Sequence, residues 1–153
     1  MMLPLWDHLV ATRLSDFEML DLSTRHYSRS NSRTNKLGGP ARSLLLRNTA
    51  GDVLFLWQWP QDGMRRDGQN GYNCVMFRNE SKRRSSEIII EAERHAIEKW
   101  GPNRFYTYVD PRKIKSANPG YCFKIAGYHF VRVTPNGKHL LVKDLTLKKE
   151  CRL

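Results

Sequence analysis

With 153 residues, 40% of them apolar and 10% aromatic, the chain is sized for one folded domain with a single sizeable core and is too hydrophobic to stay disordered. Lys and Arg number 26 against 15 acids, a formal charge of +11, which favours a polyanionic partner through counterion release and electrostatic steering. No run approaches the roughly 20 apolar residues of a membrane span. Asp7 and His8 stand where a signal peptide would be basic and then apolar. Cys74, Cys122 and Cys151 form no CxxC pair, which argues against a disulfide framework and a structural zinc site and for a reducing, cytoplasmic setting.

The positive charge is segregated. No acid occurs from Leu22 to Gly51, where Arg25, Arg29, Arg33, Lys36, Arg42 and Arg47 stand. None occurs from Pro111 to Lys143, which holds Arg112, Lys113, Lys115, Lys124, Arg132, Lys138 and Lys143. Such stretches predict a one-signed face and nominate Arg29, Arg33, Lys36, Arg65, Arg66, Arg112, Lys113 and Lys115 as nucleic-acid contacts.

In chain order, residues 1–14 are apolar enough for a first strand or a short helix. Ser15 and Asp16 are capping types ahead of a short helix within 15–27. Residues 28–41 form a polar, basic loop. Residues 43–59 read as a hairpin turning at Thr49-Ala50-Gly51, followed by a loop over 60–71 and a strand over 72–77. Residues 85–100 are the clearest helix: Ile89, Ala92, Ala96 and Trp100 recur at helical spacing, Ser85 or Ser86 can cap it, and Gly101-Pro102 ends it. Glu91 with His95 and Arg94 with Glu98 are i,i+4 pairs on its wet side. A strand over 104–109, a short helix over YCFKIA and a hairpin turning at Pro135-Asn136-Gly137 complete the chain. The order β–α–β–β–β–α–β–α–β–β predicts an α/β (α+β) fold with a mixed sheet and helices packed on it. It forms one domain: an N-terminal segment (1–41), a sheet-and-helix core (43–145) and a basic tail (146–153).

Two segments can carry chemistry. Where the 72–77 strand leads into the long helix, Arg83, Arg84, Ser85 and Ser86 put cations and free backbone N–H groups at a helix N-terminus, a setting for a pyrophosphate or for an ordinary cap. The second runs from Asn118 to Val133. Elsewhere, His26 beside Tyr27 has the chemistry of a general base or of a core histidine, and Asp110, at a strand end, can serve a cleft or cap a turn. Trp57, Trp59 and Tyr72 flank a basic loop and can stack on bases or fill the core. The other histidines show no metal-ligand spacing, so no metal site is expected.

Together these segments resemble the GCN5-related N-acetyltransferase (GNAT) superfamily. The run Phe123-Lys124-Ile125-Ala126-Gly127-Tyr128, led by Asn118, is similar to the family's Tyr-x-Lys-x-Gly-Phe signature, and the helices and closing hairpin follow in the family's order. The resemblance implies a mostly antiparallel central sheet and an acetyl-coenzyme A or other acyl-coenzyme A donor. Arg83, Arg84, Ser85, Ser86, Asn118 and Phe123 would lie against that donor. Two departures stand out: Arg83-Arg84-Ser85-Ser86-Glu87 lacks the family's phosphate-loop glycines, and Phe123 occupies the place of a general-acid tyrosine, which Tyr121 can fill from two residues away. His26-Tyr27-Ser28, Ser85-Ser86, Val109-Asp110-Pro111 and Asn118 to Phe123 further resemble phage proteins related to Mom, a divergent branch that modifies adenine in DNA. That narrower likeness implies phage origin, DNA as acceptor, and His26, Tyr27, Asp110 and Tyr121 as catalytic residues.

Overall fold

The computed structural model describes Pro4, residues 7–24, Leu37, and residues 42–60, 67–114 and 117–146. His26, Tyr27, Arg29, Arg33, Lys36, Arg65, Arg66 and Lys115 lie outside the described residues.

The described chain runs β1 (Val10–Thr12), α1 (Phe17–Ser23), β2 (Arg42–Arg47), β3 (Val53–Trp59), β4 (Tyr72–Asn79), α2 (Ser85–Trp100), β5 (Arg104–Val109), a 3-10 turn (Pro111–Lys113), α3 (Tyr121–Ile125), β6 (His129–Val133) and β7 (His139–Asp144). The strands form one seven-stranded sheet in the order β1-β2-β3-β4-β5-β7-β6. Every adjacent pair is antiparallel except β4 and β5. The undecided N-terminal stretch thus contributes a strand, and the sheet is mostly antiparallel as expected.

The middle of the sheet is buried on both faces, so β3 reads VLFLWQW with five successive buried residues rather than alternating with polar ones. The strand period still sorts them. Val53, Phe55 and Trp57 face α2 and α3, packing with Ile88, Ile89, Ala92, Ala96 and Phe123. Leu54 and Leu56 face α1, packing with Met19 and Leu22. Each fully buried Ile or Leu stabilises the fold by roughly 1.5–3 kcal/mol over exposure, so α2, with four apolar residues at 0% exposure, anchors one face.

Local chemistry sets the element ends. Asp16, not Ser15, caps α1, its Oδ1 accepting from the Met19 amide at 3.2 Å. The β2–β3 turn closes on Asn48, whose Oδ1 accepts from the amides of Gly51, Asp52 and Val53 at 3.1 Å each. The N-cap of α2 is Arg84, and no side chain caps it; Ser85 and Ser86 are its first helical residues instead. Glu91 does not serve His95. It accepts from the Leu9 amide and pairs with Arg83 at 3.0 Å, pinning the N-terminal segment to α2.

The aromatics near loop 60–71 belong to the core. Trp57 and Tyr72 are fully buried, Trp57 donating from Nε1 to the Ala92 carbonyl at 2.9 Å and Tyr72 from its hydroxyl to the Gly101 carbonyl at 2.7 Å. Trp59 stacks edge-on against Tyr72 and packs on Trp100 at 5.8 Å, with the Arg42 guanidinium 3.6 Å above its ring. Of the two alternatives, Trp57 and Tyr72 fill the core, and Trp59 packs half-buried against it at the end of the sheet where α2 finishes.

Candidate functional site

The site begins where two parallel strands part. β4 and β5 pair at Tyr72↔Phe105, Asn73↔Tyr106 and Cys74↔Thr107, and the ladder stops there although both strands continue. Two features place the fork. Against β3, Leu56 pairs with Met76 and Trp57 with Cys74, so Val75 is an extra residue that bends β4. At the last pair, the buried Thr107 Oγ1 donates to the Cys74 carbonyl at 2.9 Å and ties the strands at the apex.

Past the fork lies a cleft of about 340 Å³ whose walls are Val75, Met76 and Phe77 of β4, Val109 of β5, Ile114, and the start of α3. Gly120 lets α3 approach so closely. It sits at φ +75°, and a Cβ there would lie 2.4 Å from Leu141 Cδ1 and 3.3 Å from Val109 Cγ2. Behind α3, the buried Lys143 Nζ donates to Glu93 Oε1 and to the Ala126 carbonyl, each at 2.8 Å, joining β7, α2 and the end of α3. Lys143 is thus an internal strut and not part of a basic face. Arg47 is likewise drawn inward, bonded to Asp16 at 2.9 Å.

The nominated residues divide into three groups. Asn118, Tyr121 and Phe123 line the cleft. Phe123 is buried and packs edge-on against Phe77 and Tyr128. Tyr121 stands at the rim, 57% exposed, and Asn118 accepts from Lys124 Nζ at 2.6 Å. Arg84, Ser85 and Ser86 stand at the N-terminus of α2, where β4 ends, with Arg84 exposed beside Lys82. The first N–H groups of a helix have no intrahelical acceptor, and with no capping side chain those of Ser85 and Ser86 are available to an anion.

Arg83 and Asp110 fall into a third group. Arg83 is held inward: its guanidinium donates to the Asp7 carbonyl at 2.9 Å and pairs with Glu91, leaving the side chain 11% exposed. A phosphate-binding role for Arg83 is corrected to a structural one. Asp110 is buried and caps the 3-10 turn, its Oδ1 accepting from the Arg112 amide and Nε at 3.0 Å each. The Arg112 guanidinium beside it holds the Asp110 carboxyl below the ordinary carboxylate range. Both groups are committed to each other, which leaves Asp110 unsuited to act as a base and Arg112 to offer a free charge to phosphate. Lys113 is exposed.

Cys122 gained no role from the sequence, yet it lines the cleft between Tyr121 and Phe123. Burial raises its thiol pKa, so it carries its proton at neutral pH. Its position one residue before the signature aromatic was the available signal. Cys74 also lines the cleft, but its thiol is buried, pushed up by that burial, and bonded to the Met76 carbonyl at 3.7 Å. Among the described residues, no His, Asp or Glu lines the cleft, and no cluster of His, Cys, Asp or Glu can hold a metal ion. No described helix is long and apolar enough to cross a membrane.

Such a fork opens an apolar slot between β4, β5 and α3 that suits the apolar part of a ligand. In sequence the chain matches no protein-family model and no curated protein. In structure it is similar to the GNAT domain of S. lividans PAT, with TM-score 0.61 and 17% identity over 90% of this chain and 89% of that one. It is also similar to the aminoglycoside acetyltransferase AAC(6')-Ib in complex with coenzyme A, with TM-score 0.55 and 10% identity over 95% and 99%. An acetyltransferase from Thermus thermophilus matches with TM-score 0.56 and 12% identity over 90% and 97%. The chain therefore has the fold of the GNAT acetyltransferases.

Proposed function

We propose that the protein is an acyl-coenzyme-A-dependent N-acyltransferase that modifies a base amine in DNA. The observation that carries the transferase half is the fork between β4 and β5, which opens an apolar slot; the uncapped N-terminus of α2 follows β4 in the chain. The residues fit an acyl-coenzyme A: the slot suits its apolar arm, and the Ser85 and Ser86 amides with Lys82 and Arg84 suit its phosphates. When bound, that donor supplies an activated thioester.

The chain's part is to align and to move protons. The acceptor amine forms a bond to the acyl carbon, the carbon–sulfur bond breaks, and the amine proton passes to a base, for which His26 and Tyr27 of the N-terminal segment are the candidates. Tyr121 and Cys122, at the rim and wall of the cleft, hold protons for the departing thiolate. DNA as acceptor is supported by the charge of +11 and by the acid-free stretches. Phage origin, and with it a bacterial cytoplasm, rests on the Mom-like motifs alone.

A second reading, a nucleic-acid-binding module without transfer chemistry, is favoured by the aromatic Phe123 and by the lack of a His or carboxylate along the cleft among the described residues. Calorimetric titration of acetyl-coenzyme A into wild type and Arg84→Ala, followed by mass spectrometry of nucleosides from treated DNA, separates the two. Micromolar binding that weakens in the variant, with an acylated nucleoside, establishes the transferase. Binding without nucleoside product moves the acceptor elsewhere. No binding at millimolar donor leaves the module.

A further inference from the structure

A second concavity lies across β5 from the cleft, and Tyr108 lines both. Strand alternation sends Phe105 and Val109 toward α2 and α3 and sends Tyr106 and Tyr108 to the opposite face, where Tyr106 packs with Leu140 and Val142 of β7. There Tyr108, Asp67, Arg132 and the β6–β7 turn enclose about 570 Å³. The turn is firmly built. The Thr134 amide donates to the Lys138 carbonyl at 2.7 Å, the Lys138 amide returns to Thr134 Oγ1 at 3.0 Å, and Arg112 donates to the Asn136 carbonyl at 3.0 Å from outside.

The groups facing this hollow are of two kinds. Arg132 and Lys138 enter no ion pair among the described residues, and Arg132 is exposed. The hollow's acid, Asp67, is committed: its Oδ2 accepts from the Tyr108 hydroxyl at 2.6 Å and its Oδ1 from the Gln69 amide at 3.0 Å. That contact fixes the Tyr108 ring, which stands half-buried on the wall. Cations for a phosphate beside a fixed aromatic face are what one nucleotide of an unpaired strand requires. A bare anion or an acidic peptide would engage the cations and have no use for the ring.

We infer that this hollow holds one nucleotide of a single-stranded nucleic-acid segment, its phosphate against Arg132 and Lys138 and its base against Tyr108. The inference rests on the reading that the acceptor is nucleic acid and gives that reading a place on the molecule. The strand would lie one β-strand away from the transfer cleft, as an unpaired neighbour of the acceptor base would.

The test is fluorescence anisotropy of a short labelled oligothymidine with the full chain across a salt series. It uses wild type, Arg132→Gln/Lys138→Gln, Tyr108→Ala, and Arg94→Gln/Lys99→Gln as a charge control on the exposed face of α2. The first variant should lower the salt slope by about 0.7, the share of the one phosphate the two cations hold. Tyr108→Ala should weaken binding roughly tenfold with the slope unchanged, and the control should match wild type. A slope in Arg132→Gln/Lys138→Gln equal to wild type overturns the hollow while leaving nucleic acid as the acceptor. A charge effect with none at Tyr108→Ala overturns it in favour of a plain anion site. Wild type that does not bind the oligonucleotide at low salt overturns both the hollow and the nucleic-acid acceptor, while coenzyme-A titration on the same samples still reports on the transferase. Since Arg132 and Lys138 make no ion pair among the described residues, their variants should melt like wild type, so a binding change is not a folding change.

Discussion

The same two strands behave differently in their two halves. Where β4 and β5 start, they are hydrogen-bonded and covered by large rings: Tyr72, Trp100, Trp59 and Phe105 meet at centroid distances of 5.2–5.8 Å. Past Cys74 and Thr107 the pairing stops, and aliphatic groups, thiols and a rim tyrosine line an open slot. Both halves are apolar. The difference lies in whether the two strands are hydrogen-bonded to each other. The sheet tolerates one such interruption because α2, α3 and β7 brace its far side through buried contacts such as Lys143 with Glu93.

Substitutions in the two halves should separate stability from binding. The largest effect belongs to the paired half. Trp57→Ala removes a fully buried ring and its bond to Ala92, and should cost about 3–5 kcal/mol in denaturant unfolding. Donor affinity measured well below the melting point should be little changed; a large loss there would break the division. At the cleft, Gly120→Ala forces a Cβ into Leu141 at a positive φ. It should cost about 1–3 kcal/mol, and it should also weaken coenzyme-A binding, because α3 must move off β5. Thr107→Val removes the tie at the apex for about 1 kcal/mol. Calorimetry should show a larger change in coenzyme-A affinity than in stability, and the reverse result would place the fork's geometry elsewhere.

The smallest effect is one of pH. Asp110 is held below the ordinary aspartate value of 3.8 by Arg112. Its contribution to stability is therefore complete above that unfolded value and is lost as pH falls through the lower folded one. In Asp110→Asn that stretch of the acid-unfolding curve should flatten. An unchanged curve would mean that the Arg112 pair adds nothing to the turn closing the cleft's end.

Much of this was legible in the residues. The 85–100 helix, both hairpins, the strand before the long helix and the short helix after Gly120 follow from apolar periodicity and turn residues, which are local signals. The roles given to Asn118, Tyr121 and Phe123 came instead from the likeness of their segment to the GNAT signature; in the structure all three line the cleft. The settings of Arg83 and Asp110 were not legible in the residues. Each looked like a site residue because of its charge and its position at an element end, and each is occupied by a partner, Glu91 or Arg112. The Arg83 partner sits on the far side of the first helical turns, while the Asp110 partner is only two residues away yet becomes a clamp only once the turn forms. The hollow between Tyr108 and Arg132 was equally invisible, since it joins β5, the β6–β7 turn and a loop distant in the chain.

The sequence by itself determined the class of fold, the excess of positive charge and the places where strands and helices start and stop, because propensity, periodicity and turn chemistry act within a few residues. The tertiary structure decided where two parallel strands cease to pair, which cations are free and which are struts, and which side of β5 each tyrosine faces. These depend on register and burial between segments far apart in the chain: an extra residue at Val75 or a Gly at position 120 has meaning only against the strands it meets.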